Sequence, residues 1–178
     1  MRGAILAASV AICFSIPAQA ASDSPAAATR AFYDTYMALH VRGIPDEKAR
    51  ARFAPVISPA LEKLLADATA AEDLHRERTK NEEPPLVEGD AFSSLFEGAT
   101  AYEIGACQEK PDSAVCDVHL AYAESKGDKP TKWVDQAALV KSGGGWVLDD
   151  IVFGATWDFG NHGRMQDLLR QVPKDAAP

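Results

Sequence analysis

Residues 132–153, KWVDQAALVKSGGGWVLDDIVF, constrain the fold more than any other stretch of the chain. Two apolar-rich runs flank Gly143-Gly144-Gly145. Glycine reaches positive φ without steric cost, so the triplet predicts a hairpin turn. In the second run Trp146 and Leu148 share one strand phase, while Ile151 and Phe153 share the other. Successive strand residues point to opposite faces, so burying all four requires a switch of phase. A β-bulge at Asp149-Asp150 supplies it and spares the chain an unpaired buried carboxylate. These four side chains are expected to face a long helix predicted over 58–78.

Upstream, two Ser-Pro pairs mark helix starts, with Ser at the N-cap and Pro in the first turn, where its missing N–H costs nothing. Ser24-Pro25 opens a helix whose stripe is Ala28, Phe32, Tyr36 and Leu39, and Gly43 is expected to end it. Asp46 caps a short second helix through Phe53. Ser58-Pro59 opens the long third helix, with Leu61, Leu64, Leu65 and Ala68 on its buried face. The charged tail of that helix, 72–78, reads as a solvated face laced with i, i+4 pairs. Residues 81–98 show no period, and Pro84-Pro85 forbids helix. Their apolar residues Leu86, Val87, Phe92, Leu95 and Phe96 predict a loop packed over the core.

Four antiparallel strands are predicted, over 100–107, 114–123, 132–141 and 145–153, followed by a short helix over about 163–172. The expected class is α+β: N-terminal helices packed on a curved four-stranded antiparallel sheet. If Cys107 and Cys116 were directly opposed, Ile104 would face His119 and the two apolar sets would fall on opposite faces. Either a bulge shifts the phase, or the two cysteines lie in the loop beyond the regular pairing. The wide connection through Pro111-Asp112 favours the second.

The first twenty residues have the form of an export signal: Met1-Arg2, an apolar run from Gly3 to Ile16, and Ala18-Gln19-Ala20 as the cleavage site. The run is shorter than the roughly 18 residues that a spanning helix needs. Residues 21–178 then form a single domain, and the protein is expected to be periplasmic or secreted. Cleavage takes the formal charge from 18 − 26 = −8 to 17 − 26 = −9, since the segment holds one Arg and no acid. An acidic chain without a Lys/Arg cluster argues against nucleic acid and against anionic membranes. Cys13 leaves with the signal. Cys107 and Cys116, an even pair in an oxidising compartment, predict a disulfide over free thiols or a metal pair.

The closing strand Trp146-Val147-Leu148-Asp149-Asp150-Ile151 resembles that of the cone-shaped superfamily containing nuclear transport factor 2 and ketosteroid isomerase. Ala31-Phe32-Tyr33-Asp34-Thr35-Tyr36, Ser58-Pro59-Ala60-Leu61 and the closing Gly-Trp…Asp-Asp-Ile pattern are similar to the exported bacterial domain-of-unknown-function 3828 family. The resemblance covers most of the chain after the signal and implies the cone fold. It brings no activity with it.

Isomerases and dehydratases of the cone superfamily use an Asp or Glu base, a Tyr or His donor and a deep apolar pocket. This chain carries Asp90, Asp135, Asp149, Tyr102 and His119, and no motif aligns them with catalytic positions, so no catalytic residue is assigned. The plain readings are a polar-face strand residue for His119, a turn former for Asp90, and core or pocket wall for Tyr33 and Tyr36. Tyr36, Asp90, Phe92, Phe96, Tyr102, His119 and Trp146 are the binding candidates. The acidic loop residues Glu82, Glu83, Glu88, Asp90 and Glu97 match no calcium loop, and the four His residues are too dispersed for a zinc pair. No metal or cofactor is expected. Two functions remain: a non-catalytic module binding a small molecule or an envelope protein, and a cofactor-free acid/base enzyme.

Overall fold

The computed structural model describes residues 22–177, so the proposed signal segment and Cys13 lie outside the described residues. Four α-helices and a five-stranded antiparallel sheet make an α+β structure. The elements are α1 (Pro25–Leu39), α2 (Glu47–Phe53), α3 (Pro59–Thr79), β1 (Ala101–Glu109), β2 (Ser113–Tyr122), β3 (Thr131–Ser142), β4 (Gly145–Phe153), β5 (Gly163–Arg164) and α4 (Met165–Asp175). A single 3-10 turn, Ala54–Val56, follows α2. Sheet order equals chain order, β1-β2-β3-β4-β5.

Each predicted cap forms. Ser24, Asp46 and Ser58 accept the amides of Ala27, Ala49 and Leu61 at 3.2, 2.7 and 3.0 Å. The first helix stops earlier than expected. His40 takes the left-handed conformation (φ 47°) and its N–H closes on Tyr36 O. Gly43, expected as the stop, instead pairs with the 81–98 loop: its N–H donates to Gly89 O, and its own φ is +67°.

The hairpin turn is a two-residue Gly143-Gly144 loop, both residues at positive φ, between the paired Ser142 and Gly145. That geometry matches the right-handed twist of the flanking strands. The bulge falls where the sequence places it. Leu139 pairs with Leu148 and Ala138 with Asp150, so Asp149 is the extra residue. Trp146, Leu148, Ile151 and Phe153 are all buried as a result. Among the helices, α1 and α4 contact β4 most and α3 touches it less, chiefly where Ser58 N donates to Leu148 O. The expected facing of these residues onto α3 is corrected because α1 lies across β1 to β4 while α3 packs outside it, against α2 and α4. Asp150 is also buried, but it is not orphaned. Its Oδ2 accepts Arg164 Nε at 2.7 Å and its Oδ1 accepts the amides of Ile151 and Gln166.

Two further expectations change. Cys107 and Cys116 are directly paired across β1 and β2 and form a disulfide. A register shift between Ile104 and Cys107 brings Ile104 opposite Val118, so the bulge alternative holds and the loop alternative does not. The sheet has a fifth strand, because Gly163 and Arg164 pair with Phe153 and Val152 before α4 begins. The hydrogen bonds of that short strand bring Arg164 to the buried Asp150.

The α3 tail is not wholly solvated either. Glu72 and His75 are buried, and both hold the 81–98 loop. Glu72 Oε2 accepts the Leu86 amide at 3.0 Å, and His75 Nε2 lies 2.9 Å from Pro84 O. The helix ends at Lys80 and Asn81, both at positive φ with their N–H groups closing on Arg76 O, and the Glu72 and His75 bonds fold the loop back along it.

Candidate functional site

Aromatic rings from α1, α2 and the 81–98 loop pack into one buried cluster. Phe32 meets Tyr33, Phe53 and Phe92 at centroid distances of 5.2, 5.5 and 5.8 Å, and Phe92 meets Phe53 at 5.1 Å. Tyr36 joins the cluster at 6.1 Å from Phe92. All five side chains are buried.

At the edge of this cluster the 81–98 loop is anchored by Asp90, itself 4% exposed. Asp90 Oδ1 accepts the Phe92 amide at 2.7 Å, the turn-forming bond that the residue type predicts. Asp90 Oδ2 accepts the Tyr36 hydroxyl at 2.7 Å, and Tyr36 Oη in turn accepts the Ala99 amide at 2.9 Å. Asn161 Nδ2 adds bonds to the carbonyls of Asp90 and Ser93. Burial pushes the Asp90 carboxyl up to about 6, although the Tyr36 hydroxyl, the Phe92 amide and the Arg42 charge all pull the other way. Burial, then the neighbouring Asp90 charge, pushes the Tyr36 phenol far above its ordinary range. The pair opens onto a depression of about 260 Å³ lined also by His40, Arg42, Glu97 and Tyr122.

One turn of loop away, Asp135 is buried and accepts four donors: the Ser94 amide and hydroxyl, Trp133 Nε1 and the Gly154 amide. A carboxylate so fully bonded is committed to holding the loop on β3. Beside it, Tyr33 Oη is buried with no hydrogen-bond partner among the described residues. Burial first, then the charges of Asp135 and Asp90, raise that phenol well above its usual value.

Another open space lies on the other side of the loop. A groove of about 530 Å³ runs between α3 and the loop, past Gly43 and Ile44. Val87 and Ile44 are buried in its floor, and Phe96, 42% exposed, stands at its rim. Gly89 gives Phe96 its place, since a Cβ there would collide with the Phe96 ring. Arg42, Glu72, Arg76, Glu83 and Glu88 supply charge along the walls.

The binding candidates therefore fall in four places. Tyr36, Asp90 and Phe92 come together, with Phe92 inside the aromatic cluster. Phe96 is on the groove. Tyr102 and His119 line a separate hollow of about 480 Å³ over β1, β2 and β3. Tyr102 stacks on Tyr33 at 5.3 Å and donates to Asp34 Oδ1 at 2.6 Å. Its phenol is pushed up to about 12, by partial burial first and then by Asp34. Trp146 is remote from all of these, bridged to Ser22 through backbone bonds and covered by Lys141 Nζ at 5.1 Å from its ring.

Glu72, His75 and Arg76 were not among the sequence-based candidates. The available signal was a charged helix tail followed by an apolar-bearing loop, while the reversal itself is made at Lys80 and Asn81. Among the described residues no group of three or more His, Cys, Asp or Glu is placed to hold a metal ion, and no helix is long and apolar enough to cross a membrane. The chain matches no protein-family model and no curated protein sequence.

Proposed function

We propose that the protein is an exported, non-catalytic binding module of the nuclear-transport-factor-2-like cone type, and that its groove between α3 and the 81–98 loop holds a small molecule or a segment of an envelope protein. One observation carries this reading: where the open space lies. Phe32, Phe53 and Phe92 pack against one another in the buried core, whereas the groove is open and presents Phe96. A concave apolar floor with a few polar groups around it is the usual form of a small-ligand site. The Cys107–Cys116 disulfide supports export, because such bonds persist in oxidising compartments. The helices packed on one antiparallel sheet, with the bulged closing strand, support the cone resemblance.

A second reading has one specific observation behind it. A buried carboxyl raised to about 6 and bonded to a phenol is a chemically competent acid/base pair, and it borders a depression. Its atoms are occupied by the Phe92 and Ala99 amides, which gives it a structural duty first.

Affinity capture from envelope extract with the wild-type protein and Phe96→Ser in parallel tests the binding reading. It expects a small molecule or protein retained by the wild type and lost from the variant. The same retained set on both proteins would count against the groove.

A further inference from the structure

We propose that the groove binds a ligand carrying a protonated amino group on an apolar body, with the ammonium replacing Arg76 as the partner of Glu72; this rests on the groove being the binding site. Glu72 is 2% exposed, and only one of its oxygens is hydrogen-bonded, Oε2 to the Leu86 amide. Oε1 accepts no hydrogen bond among the described residues. Its charge partner is Arg76 Nε at 3.5 Å, an i, i+4 contact on α3 too poorly aligned to be a hydrogen bond. The Arg76 side chain is half-exposed and divides itself with Asp73, at 3.4 Å. A buried carboxylate oxygen is thus short of one donor and is covered by a side chain held only loosely.

The remaining charges select the sign of the ligand. Arg76 is shared between Glu72 and Asp73, and Arg42, exposed on the groove wall, makes no ion pair among the described residues. Glu83 and Glu88, both exposed, make no ion pair among the described residues. Against the single Arg42 charge, these two carboxylates leave the uncommitted charge of the groove negative by one. The floor of Ile44 and Val87 takes the apolar body, and the exposed Phe96 ring offers its face to a cation. If the ammonium enters at Glu72, Arg76 swings into solvent, where its guanidinium loses little.

The test is amide-resolved NMR titration of the protein with hexylammonium, with hexanoate and hexanol as probes of the same length. The expected result is saturable shifts at the Leu86, Val87 and Phe96 amides with hexylammonium, about tenfold weaker or absent with hexanoate. Arg76→Ala uncovers Glu72 and tightens hexylammonium binding by about three- to tenfold. Glu72→Gln weakens it by about tenfold, while an unmoved Gly43 amide, bonded to Gly89 O, shows in the free variant that the loop is still seated. Weaker hexylammonium binding by Arg76→Ala would overturn the proposal. So would hexanoate or hexanol binding as well as the amine, an outcome that leaves the groove as a binding site and removes only the ligand class. Absence of shifts with all three probes also overturns the ligand class, and affinity capture then decides the binding reading separately.

Discussion

Tyr36 Oη donates to Asp90 Oδ2 at 2.7 Å and accepts the Ala99 amide at 2.9 Å, so a single phenol on α1 ties down both the middle of the 81–98 loop and the residue that follows it. The loop forms one wall of the groove and, on its other side, one wall of the smaller depression. Its stability therefore bears on both functional readings.

Removing that phenol is expected to be costly. Tyr36→Phe leaves the Ala99 amide and one Asp90 oxygen buried without partners, a loss of about 2–4 kcal/mol in urea unfolding. Tyr33→Phe is the control, three residues earlier on the same helix. Its hydroxyl has no partner among the described residues, so the variant is expected to be neutral or up to about 1 kcal/mol more stable. Equal losses from the two variants would contradict the hydrogen-bond assignment.

The Asp90 carboxyl gives stability a defined pH dependence. Its folded value of about 6 lies above the ordinary 3.8, so the native protein holds this proton more tightly than the unfolded chain does. The contribution is fully present below about pH 3.8, is lost as pH rises through about 6, and stays lost above. The shift corresponds to about 3 kcal/mol at most. The groups acting on it are Tyr36 from α1, Arg42 from the α1–α2 connection and Asp135 from β3. The stability advantage of wild type over Asp90→Asn is expected to shrink by up to that amount between pH 4 and pH 7.5. A difference that grows with pH would refute the assignment.

The disulfide closes a short loop, with nine residues of sequence separation. Replacing both cysteines by alanine is expected to lower stability by about 2–4 kcal/mol, most of it from freeing the unfolded chain. Alkylation before reduction should leave the mass unchanged at Cys107 and Cys116. Two added labels on the untreated protein would show free thiols.

Much of the frame was legible because it rests on local chemistry. Ser24, Asp46 and Ser58 cap helices by contacts three residues away, and the two-residue glycine turn sets the β3–β4 register by itself. The bulge at Asp149 followed from one constraint, that four bulky residues in two phases must share a face. Where two solutions satisfied the same constraint, as with the β1–β2 register, sequence could pose the choice without deciding it. The loop and groove were less legible because they depend on distant partners. Tyr36 and Asp90 are 54 residues apart, and Glu72 finds Leu86 across a turn. Phe92 and Phe96 looked alike in sequence, yet one is sealed in the aromatic cluster and the other stands on the groove. The second fate depends on how the loop folds between Gly89 and Gly98, both at positive φ.

The most direct test of the central claim is a fragment screen read by amide-resolved NMR on the wild-type protein. The groove reading predicts that binding fragments shift the amides of 86–89 and Phe96 and leave Ala99 and Tyr122 unmoved. Fragments that instead gather at Tyr36, Asp90, Ala99 and Tyr122, with the groove silent, would contradict it and move the function to the carboxyl–phenol pair.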